Sequence, residues 1–182
     1  MALPASIRSS VTPPELELIA SEQLVDIIPL IAMDKTAFIS GAYGPLRPPA
    51  KSRVPLWMAT NLKLKKKCHI VPPDWLCVEF LQDRLMRETS QAEFCELPFR
   101  FAEVAKVLLD VASDDMQNPD KIRSLLKDLR EARQAKSREG LQKLDHSELS
   151  LPNFCSLEIN EIRPFFVRAM GVLTQVSRTT QE

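Results

Sequence analysis

Apolar positions recur along this chain with two different periods, and the change falls near residue 73. Before it the apolar runs are short and β-branched. Leu24-Val25-Asp26-Ile27-Ile28 and Thr36-Ala37-Phe38-Ile39-Ser40 read as strands, with Pro29 marking a strand end or an edge. Ahead of them, Thr12-Pro13-Pro14-Glu15 combines a hydroxyl N-cap, prolines in a first turn and an acid at the positive end of a helix. That helix should run to about Glu22 and bury Leu16, Ile19 and Ala20. Gly41, Gly44 and Pro45 supply turn chemistry, and Pro48-Pro49 an extended connector. A second short helix should begin at Pro55, bury Leu56, Ala59 and Leu62, and end in lysines.

After residue 73 the period becomes helical. Trp75, Val78, Leu81 and Leu85 form one stripe over residues 74–88, and Phe101, Val104, Ala105, Leu108, Val111 and Ala112 form another after Pro98. A third helix starts at Pro119 behind Asn118 and carries Ile122, Leu125, Leu126 and Leu129. A fourth begins near Asn160, with Pro164 in or just past its first turn, and carries Phe165, Phe166, Ala169, Leu173 and Val176. The expected fold is mainly α with a small N-terminal β-rich domain (α+β), a helical bundle following a short-strand domain. The expected division is a tail over 1–12, the β-rich domain over 13–73, the bundle over 74–176 and a tail over 177–182. Ten of the 14 prolines fall in residues 1–73, which supports this division. Trp57 and Trp75 flank the Pro72-Pro73 joint and are expected to pack the two domains together.

Composition narrows the function classes. With 45% hydrophobic and 26% charged residues in 182, the chain is globular. Four glycines cannot build a phosphate loop, a dinucleotide fingerprint or a nucleophile elbow. No leader sequence or membrane-spanning run is evident, and the four scattered cysteines lack close pairing; a soluble intracellular protein with reduced thiols is expected. Net charge is zero but segregated: residues 35–73 total +8 with no acid, residues 74–115 total −6, and residues 116–143 total +4. Such blocks can be met within the chain or by partner chains, and they differ from the uniform basic footprint of a dedicated nucleic-acid binder.

Cys68-His69 and Cys77 invite a metal, yet structural zinc needs four ligands in paired spacings and no second pair follows. Buried cysteines beside a strand-surface His69 are the expected arrangement. Strand neighbours point to opposite faces, which argues against Cys68-His69 as a nucleophile pair. No catalytic residue, metal or cofactor is expected. The lysines Lys63, Lys65, Lys66 and Lys67 have three readings: a solvated helix end, a dock for an acidic protein surface, or a phosphate contact in a DNA-binding module spanning 51–67. No stacking aromatics interleave them, which weakens the single-strand reading.

The third helix is more telling. Its stripe at 122, 125, 126 and 129 continues by helical spacing to Arg133 and Lys136. A core stripe that turns charged signals either long side chains snorkelling to solvent or a helix that runs past its own bundle onto a partner; the pattern favours the partner.

Three stretches together resemble the Psf-two subunit family of the GINS complex of eukaryotic DNA replication. The first runs from Val54-Pro55-Leu56-Trp57 through Lys67-Cys68 to Pro72-Pro73-Asp74-Trp75-Leu76. The second is Ala112-Ser113-Asp114-Asp115 followed by Ile122-Arg123, Lys127-Asp128-Leu129, Arg133, Ala135-Lys136 and Arg138. The third is Leu157-Glu158-Ile159-Asn160-Glu161-Ile162-Arg163-Pro164-Phe165-Phe166. Glu22 to Pro29 also fits, and the resemblance covers about residues 15–176. It implies a non-enzymatic, nuclear scaffold in a heterotetramer with three sister subunits. That assembly joins the MCM ring and the Cdc forty-five protein in the replicative helicase and links it indirectly to the leading-strand polymerase. On this basis Arg123, Lys127, Asp128, Arg133 and Lys136 are expected to contact sister subunits, and Ile159, Ile162, Phe165 and Phe166 to seat the last helix on the assembly core.

Overall fold

The computed structural model describes residues 10–142 and 152–179. Among these residues six α-helices and five short strands alternate, with a small antiparallel sheet first and a helical bundle after it. Helix α1 (Pro13–Ala20) begins as its sequence requires: the N–H and hydroxyl of Thr12 both donate to the Glu15 carboxylate, at 2.8 and 2.7 Å. It buries Leu16 and Ala20, whereas Ile19, expected inside, is exposed. The helix stops at Ala20, short of Glu22, because the backbone carbonyl of Ser21 turns to accept the Trp57 N–H at 3.0 Å. Just before it, Val11 is clasped by the Asn160 side chain through two hydrogen bonds of 2.8 and 2.7 Å. Residues 10–12 are therefore held on the last helix instead of belonging to a loose tail. Residues 1–9 lie outside the described part.

Strand β1 (Leu24–Pro29) is the centre of a three-stranded sheet, flanked by β4 (Ser52–Pro55) and β5 (Cys68–Val71). Val25 faces Val54 and Ile27 faces Ile70 across it, so one side of the sheet is apolar. Pro29 closes β1 opposite Cys68; it marks a strand end, not an edge. The expected strand over 36–40 is shorter: β2 (Thr36–Phe38) turns at Ile39-Ser40 into β3 (Gly41–Tyr43). Gly41 sits at φ +148°, where a side chain would be strained, and that permits the tight reversal. Strand β4 had no alternating signature; its apolar half is Val54 and Pro55, directly before α2 (Leu56–Leu64). Helix α2 buries Leu56, Met58 and Ala59, while Leu62 is half-buried.

In the second part, α3 (Val78–Ser90), α4 (Phe101–Val111), α5 (Pro119–Gln142) and α6 (Ser156–Thr179) follow in order, with a 3₁₀ turn at Ser113–Asp115. Helix α3 starts four residues after Asp74, since Pro72-Pro73 lead into a turn closed by the Leu76 N–H on the Pro73 carbonyl at 2.8 Å. Trp75 lies in that turn, half-buried against the core. Pro98 similarly heads a turn, accepting the Phe101 N–H at 2.9 Å, and α4 begins three residues later than expected. Helix α6 begins four residues before Asn160, which places Pro164 inside the helix. The backbone hydrogen bond that Pro164 cannot make to Asn160 is thereby absent. Helix α6 runs to Thr179, past the expected tail boundary. One continuous core joins both parts: Val25, Ile27, Val54, Leu56 and Ile70 from the sheet side meet Leu81, Val104, Leu108, Ile122 and Leu129 from the helices.

Candidate functional site

Along α5 the buried stripe Ile122, Leu125 and Leu129 continues to Arg133, which is 0% exposed. Expected on an inter-subunit face, Arg133 is instead enclosed by its own chain. All five guanidinium N–H positions are used. Nε and Nη2 grip the two oxygens of Glu158 at 2.5 and 2.9 Å. Nη1 donates to Glu88 at 3.0 Å and to the Cys95 carbonyl at 3.1 Å, and Nη2 also donates to the Asn153 carbonyl at 2.7 Å. The Phe94 ring lies 4.9 Å from the guanidinium carbon. Lys136 is likewise turned inward, donating to Glu88 at 2.8 Å and to the Glu93 carbonyl at 2.9 Å. Burial would push the guanidinium pKa down, but the hydrogen bonds and charge of Glu158 and the charge of Glu88 outweigh it and hold it above the ordinary value. For Glu88, burial acts upward, yet Cys95, Lys136 and Arg133 together hold its carboxyl below the ordinary value.

This network sets where α6 sits. Glu158 accepts the Cys155 N–H at 2.9 Å, capping the helix it belongs to, while its other contacts fasten that helix to α5. A second charged node fastens the sheet to the bundle. Lys63 is buried, and its Nζ lies 2.8 Å from both Asp114 and Asp115. Asp115 also bonds His69 Nδ1 at 2.8 Å and accepts the Ile70 N–H at 2.7 Å. Burial would raise the Asp115 carboxyl; Lys63, His69 and the Ile70 N–H overcome it and hold the pKa below the usual range. Lys63 therefore has to be removed from any surface formed by the lysine run; Lys65, Lys66 and Lys67 remain exposed.

Trp57, expected at the joint between the two parts, is half-buried against their common core. It makes edge contacts with Phe38 and Tyr43, with ring centroids 5.1 and 6.3 Å apart, and so holds the β2–β3 hairpin. Cys68 is buried with Sγ toward the Ala59 carbonyl, whereas His69 faces Asp115. Burial, aided by Asp115, pushes the Cys68 thiol up to about 11. Among the described residues no three His, Cys, Asp or Glu side chains converge to hold a metal ion.

The outward groups are of two kinds. Arg123, Lys127 and Asp128 are exposed on α5; Arg123 donates to the Leu109 carbonyl at 2.6 Å and Lys127 lies 3.8 Å from Glu131. On α6, Ile159, Ile162 and Phe166 are half-buried, and Phe165, Val167 and Val172 are more than half exposed. Leu18 and Ile19 on α1 and Phe99 before α4 add further exposed apolar area.

Glu103 in α4 is buried, and both of its carboxylate oxygens are closed off from solvent. Burial raises its pKa, and the lowering influence of its own N–H, the Ser156 side chain and Arg100 does not offset this. A raised carboxyl contributes stability below its unfolded value of 4.5 and loses that contribution as pH rises. Glu103→Gln should therefore stabilise the chain at pH 7 by about 1 kcal/mol, or ~2–4 °C in thermal midpoint, and have little effect at pH 4. Scanning calorimetry at the two pH values checks this.

Sequence reasoning missed Glu88, Glu158, Asp115, Asn160 and Glu103. A signal existed for the first: Glu88 falls at the next position of the stripe Val78, Leu81, Leu85 on α3, as Arg133 does on α5.

The chain matches the model of the PSF2 N-terminal domain over residues 12–71 and that of the GINS complex protein helical bundle domain over residues 75–176. It is 39% identical over 182 residues to the DNA replication complex GINS protein psf2 of Schizosaccharomyces pombe, with both chains covered in full. It is 34% identical over 171 residues to the DNA replication complex GINS protein PSF2 of Homo sapiens, covering 92% of each chain. Against the Saccharomyces cerevisiae protein of the same description it is 32% identical over 197 residues, covering 97% of this chain and 92% of that one. With both parts matched in chain order and relatives alike from end to end, the chain belongs to the PSF2 family of GINS complex proteins.

Proposed function

We propose that this chain is a non-catalytic subunit of a GINS heterotetramer acting in DNA replication in the nucleus, where its work is done by surfaces. The observation that carries this reading is the exposed apolar stretch of α6, where Phe165 and Val172 share one side of the helix and Val167 lies on the other, all of them more than half exposed. A stretch of this kind is stable in a cell when a partner covers it. Three sister subunits are the partners proposed for it and for Arg123, Lys127 and Asp128. The assembled tetramer would then join the MCM ring and the Cdc forty-five protein in the replicative helicase, and reach the leading-strand polymerase indirectly. Support for a scaffold over an enzyme comes from the buried charged groups: Glu88, Asp115 and Arg133 are engaged in fastening helices and strands to one another. No described helix is long and apolar enough to cross a membrane.

Co-expression with the three sister subunits and affinity capture of this chain tests the reading. Stoichiometric recovery of all three is expected. Phe165→Asp should reduce recovery strongly while leaving the circular dichroism of the chain unchanged. A chain captured alone, with affinity for DNA that falls steeply with salt, would support the DNA-binding alternative through Lys65, Lys66 and Lys67.

A further inference from the structure

The two faces of the three-stranded sheet meet different surroundings. Val25, Ile27 and Pro29 on β1, with Cys68 and Ile70 on β5, are buried, so the residues that alternate with them turn outward. Ile28 lies opposite His69 on that outer face. Leu30 follows beside Lys67, its N–H donating to the Lys67 carbonyl at 2.8 Å, and is 51% exposed. The turn that leads into β5 is closed tightly. The Lys66 and Lys67 N–H groups donate to the Lys63 and Leu62 carbonyls at 2.8 and 2.9 Å and end α2. That closure sets Lys66 at φ +55°, left-handed backbone where glycine is the ordinary residue. A lysine there carries strain, and its charge finds no use within the chain. None of the ion pairs among the described residues includes Lys65, Lys66 or Lys67, whereas Lys63 takes up Asp114 and Asp115. No acid occurs anywhere in residues 35–73.

We propose that this corner of the sheet docks an acidic segment of a partner protein. An aliphatic side chain of that segment rests on Ile28 and Leu30, and its carboxylates meet Lys65, Lys66 and Lys67. Charge complementarity sets the sign of the partner, since three exposed lysines stand together with no acid to answer them. The exposed leucine sets its class. A phosphate backbone would satisfy the lysines but gains nothing from covering Leu30, and the segments 24–31 and 62–71 offer no Phe, Trp or Tyr for bases to stack on. Because the apolar side of the sheet points into the core shared with the helices, this outer face points away from that core. The inference therefore adds a second surface to the assembly reading above and does not depend on what covers α6.

The test titrates the full chain, with whatever sister subunits co-purify, into a short fluorescent peptide of alternating glutamate and leucine. Binding that weakens with salt is expected, and the same peptide with alanine for leucine should bind roughly fivefold more weakly. Leu30→Asn should lower the affinity by a similar factor. Lys66→Gly should lower it roughly threefold yet leave the thermal midpoint at or above that of wild type, since glycine relieves the left-handed backbone. In cells, p-benzoylphenylalanine placed at Leu30 should cross-link to a protein segment rich in aspartate or glutamate. The proposal is overturned by absence of peptide binding, by equal binding of the leucine-free peptide, or by affinity that neither variant changes. A cross-link to nucleic acid, with an oligonucleotide bound more tightly than the peptide, also overturns it and assigns these lysines to DNA.

Discussion

Replacing Arg133 with alanine should lower the unfolding free energy by about 3–5 kcal/mol, the usual cost of breaking a buried charge network by removing one partner. The reason is geometric. Glu88 and Glu158 are both buried, and without the guanidinium they would lie in the interior facing the Cys95 and Asn153 carbonyls that Arg133 also satisfies. Lys136 would still serve Glu88, and Glu158 would keep only the Cys155 N–H. Arg133→Lys keeps the charge but cannot reproduce five donors in a fork; it should recover part of the loss. The defect should depend on pH with a definite sign. The Glu88 carboxyl is held below its ordinary 4.5, so its stabilising contribution is present above that value and lost as pH falls. The gap between wild type and Arg133→Ala should be widest near neutrality and narrow below about pH 4, where protonated carboxyls no longer need a counter-charge. Urea titrations across this range measure it. A gap under ~1 kcal/mol at pH 7 would mean that the network is not what fastens α6.

Asp115→Ala should cost about 2–4 kcal/mol, because one side chain satisfies three donors at the seam between sheet and bundle. Its loss strands the Ile70 N–H and removes the buried partner of Lys63, leaving that ammonium only Asp114, whose side chain is 70% exposed. Asp114→Ala should therefore cost well under ~1 kcal/mol, as for other solvent-exposed pairs. The pH signs again follow from the directions. The Asp115 carboxyl is held below its ordinary 3.8, so its contribution is lost under acid. For Lys63, burial lowers the pKa but Asp114 and Asp115 raise it above 10.5; its contribution is complete below that value and lost only at higher pH. Amide exchange at Ile70 gives a local readout: Asp115→Ala should speed it far more than Asp114→Ala does. Equal effects of the two variants would contradict the seam role.

These two residues also show where local pattern stops being informative. Helix α5 was legible because Asn118-Pro119 opens it and Ile122, Leu125 and Leu129 repeat at helical spacing. The same spacing placed Arg133 on the buried stripe, yet burial of an arginine depends on finding acceptors for five donors. Those acceptors come from residues 25 and 45 positions away, Glu158 and Glu88, and no window along the chain contains them. The most economical reading from pattern alone was a partner subunit; the tertiary fold supplied the partner from within. Lys63 reads as one of four lysines at a helix end until the 3₁₀ turn at Ser113–Asp115 folds beneath it. Helix starts shifted for a related reason. Pro72-Pro73 and Pro98 open turns that consume three or four residues before helical hydrogen bonding begins, while at α6 the Glu158 cap starts the helix earlier than Pro164 suggested.

What the amino-acid order determined was the class of the fold, the order of its elements and most of its apolar core, since each follows from spacing within ten or so residues. The short-strand part ahead of a helical bundle, the Thr12–Glu15 cap and the stripe of α5 are all of this kind. Which charges face inward, and which apolar groups are left facing out, only the tertiary structure decided. Arg133, Lys63 and Lys136 are drawn inside by carboxylates remote in sequence, whereas Phe165 and Val167, as apolar as any core residue, stay more than half exposed on different sides of α6. Periodicity records that a side chain shares a face with its neighbours; whether that face meets its own chain, a partner or water depends on long-range packing that spacing does not encode.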